Sequence, residues 1–296
     1  MKPAQPASGP GPSGVSAPPD ALLYLYAIAD AVGDVSERLA SAAAPGLDAA
    51  EPLFGIEAAG LLAIVSRVPC AVFQEEPLNA LVADIPRLAP YVVGHEEVVR
   101  TLAGASVDLI PMSFGAVYRS AERVEALLTE RSEEFKAVLN RLRGRVEWGL
   151  KLFVDAGRLL AAAGATAELR SLTGEIGTAA PGRAYLLGKR RERLLAAEAR
   201  RLLDETVEQI LGVLGPLCVA VRREETVRAA DDGPQLALKA EFLLERESAV
   251  RFRSAAAALR RSSAMLGCLL ELNGPWAPYS FVGNPGRNEG ESCGGA

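Results

Sequence analysis

The chain has 296 residues, 49% hydrophobic and 23% charged, with 32 basic and 37 acidic side chains and a net charge of -5 at pH 7. That length predicts two domains of roughly 110 to 150 residues, and the composition excludes a chain disordered throughout. The lack of a long basic run argues against a sequence-independent nucleic-acid binder, and no stretch approaches the roughly 18 apolar residues of a membrane-spanning helix.

Residues 1–20 (MKPAQPASGPGPSGVSAPPD) are rich in Pro, Gly, Ser and Ala and are expected to form a disordered tail; without an apolar run they do not read as a signal peptide. Residues 22–29, with Tyr24 and Tyr26 among leucines, predict a buried strand. A short helix is expected over 35–43, ended by Pro45 and Gly46. Two strands, 54–57 and 61–67, flank Ala58, Ala59 and Gly60 as a hairpin, and Val68 and Pro69 are expected to end the second. An irregular segment carrying Glu75, Glu76 and Pro77 then leads to a helix over 90–102, and a last strand over 107–110 stops at Pro111. Strand, helix, strand, strand, helix, strand is the ferredoxin-like order, so an N-terminal ferredoxin-like α+β domain is expected over 21–115.

Val124, Leu127, Leu128, Phe135, Val138, Leu139 and Leu142 recur at three- and four-residue steps, predicting a long connecting helix over 116–144. Beyond Gly144 the period changes to two. Val146, Trp148, Leu150, Leu152 and Val154 alternate with polar or small residues, which predicts a strand with one face on a core. It opens a second α+β domain over 145–283. An Ala-, Gly- and Thr-rich insertion over 155–182, with a short helix at 157–162, precedes a long helix over 183–214 ended by Gly215 and Pro216. Strands over 217–223 and 236–244, joined by a polar loop with Asp231, Asp232, Gly233 and Pro234, a helix over 248–266 and a strand over 268–272 repeat the earlier order. Two related folds in tandem are therefore expected, with a flexible tail over 284–296.

Little in the sequence carries chemistry. Cys70, Cys218, Cys268 and Cys293 have no zinc-ligand spacing and suit a reducing cytoplasm. His95, the sole histidine, has no neighbouring nucleophile or metal-ligand pattern and reads as a structural or surface residue. No phosphate-binding glycine motif, nucleophile elbow or zinc-protease motif occurs. No catalytic residue, metal or cofactor is thus expected. Lys189, Arg190, Arg191, Arg193, Arg200 and Arg201 interleave with Glu192, Glu198, Asp204 and Glu205, which describes a solvated helix face. The unusual segment is GPWAPYSFVG (274–283): Trp276, Tyr279 and Phe281 either fold back over a sheet to seal a core or anchor a protein partner.

LYLYAIAD, GIEAAGLLAIVSRVP, GHEEVV around His95, PMSFGAVYRS, LRGRVEWGLKLFV, PGRAYLLGKRRE and the closing GPWAPYSFV occur in this order over about residues 21–283. As an ordered set they resemble the gas vesicle accessory proteins of the F/L type, GvpF/GvpL. The resemblance implies a ferredoxin-like N-terminal domain and an α+β C-terminal domain. It also implies a non-enzymatic cytoplasmic role: a minor gas vesicle component needed for assembly, binding the hydrophobic gas vesicle shell protein and other gas vesicle accessory proteins. From the residues alone, the competing reading is a small-molecule-binding regulatory protein, because tandem ferredoxin-like domains offer ligand clefts.

Overall fold

The computed structural model describes residues 21–31, 46–47, 50–104, 107–224 and 234–283. The expected helix over 35–43, both tails and the loop residues Asp231, Asp232 and Gly233 lie outside them. The chain divides into two α+β units, each built on its own antiparallel sheet.

In the first unit the strands are β1 (Ala21–Asp30), β2 (Phe54–Ala58), β3 (Leu61–Pro69), β4 (Leu109–Pro111) and β5 (Val117–Tyr118). The sheet order is β2-β3-β1-β4, with β5 also paired to β1. This antiparallel order is the one expected of a ferredoxin-like sheet. Strand β3 continues through the expected stop, because Val68 and Pro69 still pair with Leu22 and Ala21 and Val68 is buried.

Every residue from Leu22 to Ala29 is buried, which one-sided cover would not produce. Leu22, Tyr24 and Tyr26 face one core; a β-bulge at Tyr26 then shifts the alternation, so that Ala27 and Ala29 join them on the same face. That face is covered by α1 (Cys70–Phe73) and α3 (Ile85–Gly104), through Phe73, Val98, Val99 and Leu102. Against the opposite face pack α4 (Ala121–Glu130) and α5 (Ser132–Leu142), through contacts with β1, β2, β3 and β4.

Three expectations are corrected here. Residues 75–83 form a helix, α2 (Glu75–Ala83), rather than an irregular segment. Pro77 lies in its first turn, where backbone N–H groups need no intrahelical partner. Helix α3 begins at Ile85, before the predicted start at Pro90. Pro90 removes one hydrogen bond near the start of a helix that buries His95, Val98, Val99 and Leu102. The single connecting helix is interrupted at Arg131 (φ -110°, ψ 20°), which caps α4 and opens α5, and both helices pack on the first sheet.

The hairpin between β2 and β3 turns on two residues, Ala59 (φ 52°) and Gly60 (φ 79°), with Ala58 opposite Leu61. Both central residues are left-handed, as in a type I′ turn, and alanine has a Cβ that disfavours this region. Ala59→Asn is expected to stabilise the protein by about 0.5–1 kcal/mol. A urea midpoint equal to or below that of the wild type would contradict this.

The second unit runs from Gly144 to Trp276. Its strands are β6 (Arg145–Val154), β7 (Ala220–Glu224), β8 (Gln235–Glu245) and β9 (Cys268–Trp276), in the order β7-β8-β6-β9. Numbered within the unit, this is again second, third, first, fourth, so the expected tandem repetition appears in the strand order. β6 matches its predicted span, and Trp148, Leu150, Leu152 and Val154 enter the core with Val146 packed beside them.

One face of this sheet is covered by α6 (Ala156–Gly164), α8 (Pro181–Leu214) and α9 (Ala249–Ala264). The expected insertion holds a second helix, α7 (Ala167–Thr178), which buries Leu169 and Leu172 and packs against α8. Its Ala-, Gly- and Thr-rich composition is compatible with a helix once those two leucines have a surface to cover. Strand β7 starts late because Gly215–Leu217 form a 3-10 turn, and Val219 N–H makes the first hydrogen bond, to the Leu243 carbonyl at 2.7 Å.

Candidate functional site

The residues singled out near the C-terminus do not form one patch. Trp276 is the last residue of β9, opposite Glu147, and is 41% exposed. From Ala277 the chain belongs to the first unit, so the expected second domain, 145–283, ends sooner than predicted. Ala277 enters the first core with Tyr24 and Tyr26, and Tyr279 packs against it. Phe281 is half-buried, and its carbonyl accepts a hydrogen bond from Arg141 Nη2 at 2.8 Å; the Val282 carbonyl accepts from the same atom at 3.1 Å. Tyr279 therefore packs against the first core, Arg141 holds the backbone of Phe281 and Val282, and Trp276 keeps an open face.

The Tyr279 hydroxyl leads into a buried polar cluster. His95, on α3, is 1% exposed; its Nε2 lies 3.2 Å from Tyr279 Oη and its Nδ1 lies 3.0 Å from Tyr24 Oη. The imidazole stacks on the Tyr26 ring (centroids 5.8 Å apart, planes 19° apart) and meets Tyr24 and Phe114 edge-on. Tyr26 Oη contacts Ser66 Oγ at 2.9 Å and accepts from Leu47 N–H at 2.7 Å. Gly115 N–H donates to Tyr24 Oη at 3.1 Å.

Two further groups join the cluster. The Tyr279 hydroxyl bonds the Glu96 carboxyl. The Met112 carbonyl, which can only accept, bonds the imidazole. Burial holds the imidazole neutral, pulling its pKa down to about 4 against a weaker opposing pull from the Met112 carbonyl. Burial also pushes up the Tyr24 and Tyr26 phenols and the Glu96 carboxyl. Each group is stabilised in its uncharged form and committed to a structural hydrogen bond, which makes the cluster a clasp for residues 277–283.

From sequence His95 is a structural or surface residue; at 1% exposed it is not on the surface. Its link to Tyr279, 184 positions away, had no sequence signal beyond the oddity of a lone histidine and an aromatic-rich terminus. Among the described residues no group of three His, Cys, Asp or Glu side chains could hold a metal ion, and no helix is long and apolar enough to cross a membrane.

A family model described as gas vesicle synthesis protein GvpL/GvpF matches residues 22–283. The chain belongs to this family. Gas vesicle protein L of Streptomyces sp. (strain CB03234) is 29% identical over 270 residues, covering 89% of this chain and 94% of the relative. Gas vesicle protein F of the same strain is 33% identical over 224 residues, covering 72% of this chain and 88% of the relative. Two solved GvpF structures share the fold of this GvpL/GvpF family member. That from Anabaena sp. PCC7120 has a TM-score of 0.64 at 19% identity, covering 88% of this chain and 96% of that one. That from Microcystis aeruginosa has a TM-score of 0.62 at 21% identity, covering 88% and 98%.

Proposed function

We propose that this protein is a non-enzymatic gas vesicle assembly factor, acting in the cytoplasm and at the gas vesicle by binding the hydrophobic shell protein and other accessory proteins. The observation that carries the reading is the family match across residues 22–283, nearly all of the described chain. Physical chemistry gives such a factor a purpose. A subunit apolar enough to line a gas space associates with itself when free, so it needs a partner that covers its apolar surface before incorporation. Open sheet edges and exposed aromatic side chains are suited to that contact. Of the three aromatics singled out, Trp276 is the one with an open face, and it is the proposed anchor.

Deleting the gene in a gas-vesicle-forming cell is expected to abolish or impair vesicle formation; buoyant, normal vesicles in the deletant would end the proposal. In a pull-down with purified shell protein, Trp276→Ala is expected to weaken capture about tenfold or more while leaving the urea midpoint nearly unchanged. Undiminished capture would remove Trp276 from the contact.

A further inference from the structure

Strand β9 lies at one end of the second sheet, so its outer edge has no strand partner among the described residues. Beside it runs α9, with the sequence AVRFRSAAAALRRSSA: four arginines and no acidic residue. Among the described residues none of Arg251, Arg253, Arg260 and Arg261 has a carboxylate within 4.0 Å. The contrast with α8 is sharp. There Arg201 pairs with Glu198 and Glu205, Arg200 with Asp204, Lys189 with Glu192 and Arg190 with Glu168. Because the whole chain carries a net charge of -5, a shortage of carboxylates does not explain the unpaired helix.

Between α9 and β9 lies a groove of about 740 Å³, with Arg253 and Arg260 on the helix side, Leu270 and Leu272 on the strand side, and Trp148 and Pro275 also lining it. Ala256 and Ala257 lie between the two arginines in sequence and also line the groove, and their short side chains leave width for a polypeptide. The Arg253 guanidinium sits 6.0 Å from the centre of the Trp148 ring, which restricts its position. Cys268, Leu270 and Leu272 point into the core, so Glu271 lies on the opposite face of the sheet and leaves the groove without an acid on its strand wall.

We propose that this groove binds an extended, acidic segment of a protein partner. Its backbone adds to the open edge of β9 over 268–273, short of Pro275, and its carboxylates meet Arg253 and Arg260. Seven helical residues separate the two guanidinium stems by about 10 Å along the axis. Same-face side chains of a strand recur about every 6.8 Å, so acids two or four residues apart match the pair once the arginine stems flex. Charge complementarity selects the acidic occupant, and the free strand edge favours a polypeptide. The inference deepens the partner-binding reading above and rests on it only for the occupant being a protein.

The test uses the full chain and a labelled peptide alternating Glu and Thr, followed by fluorescence anisotropy. Saturable binding is expected, at least tenfold tighter than that of a Lys/Thr counterpart and weakened by high salt. Arg253→Glu with Arg260→Glu should weaken it at least tenfold, whereas Arg100→Glu on α3 should not; Arg253→Gln with Arg260→Gln serves if the double reversal disturbs the circular dichroism spectrum. Methylating alternate peptide amides should abolish binding by removing the ladder. No saturable binding, indifference to both double variants, equal binding of the methylated peptide, or tighter binding of an oligonucleotide to the same arginines would each overturn the proposal. No gas vesicle component enters this titration, so its failure leaves a deletion phenotype standing, and normal vesicles in the deletant would leave the titration standing.

Discussion

Lowering the pH from 7 to 4 is expected to remove about 3 kcal/mol of stability through His95 alone. Burial depresses the folded-state pKa from the ordinary 6.5 to about 4. Below 6.5 the unfolded chain takes up a proton that the folded chain refuses. Stability is thus fully present above that pH and falls by about 1.4 kcal/mol per unit until the folded pKa is reached. Around the imidazole stand Tyr24, Tyr26, Tyr279, Phe114 and the Met112 carbonyl, with Glu96 joined through Tyr279. The raised pKa of Glu96 acts with the opposite sign, because its folded form takes up a proton first. His95→Gln retains Glu96 and removes the imidazole, so the difference between the two urea-denaturation profiles isolates the histidine. Parallel pH profiles for wild type and variant would show that His95 is not held neutral by the fold.

The other large effect belongs to the second core. Phe252, on α9, is fully buried, with its ring centroid 5.2 Å from that of Phe242 on β8 and 6.2 Å from that of Trp148 on β6. It joins a helix to the two central strands of the sheet. Phe252→Ala loses the transfer energy of a buried ring and leaves a cavity that strands on one side and helix on the other cannot close, at a cost of about 3–5 kcal/mol. The melting temperature is expected to fall by roughly 10 °C or more. Phe252→Leu, which keeps most of the volume, should recover more than half of that loss. A drop of under 1 kcal/mol for the alanine variant would mean that the ring does not bridge these elements.

How much of this was legible depended on which interactions decide each element. Strand β6 could be read from the alternation of Val146, Trp148, Leu150, Leu152 and Val154, because covering one face of a strand imposes a period of two. Strand β1 could be read as buried, but not the bulge at Tyr26, which depends on the neighbouring strand. Helix α2 was hidden by Pro77, whose effect changes with its position in the helix. The break at Arg131 was hidden because the apolar steps on both sides continue in phase. At the C-terminus, composition singled out Trp276, Tyr279 and Phe281 and could not separate their surroundings. Tyr279 is committed by His95 and Phe281 by Arg141, contacts made across distances that no local pattern encodes.

The return of residues 277–283 to the first unit also sets an order of events during synthesis. Residues up to Arg143 emerge first, but Tyr279, the partner of His95, is translated only after all of Gly144–Trp276. At ordinary elongation rates that gap is on the order of ten seconds. For that interval the first unit waits on the ribosome without its closing segment, and the imidazole lacks one of its two hydroxyl partners. A chain cut after Arg143 would remain in that state permanently.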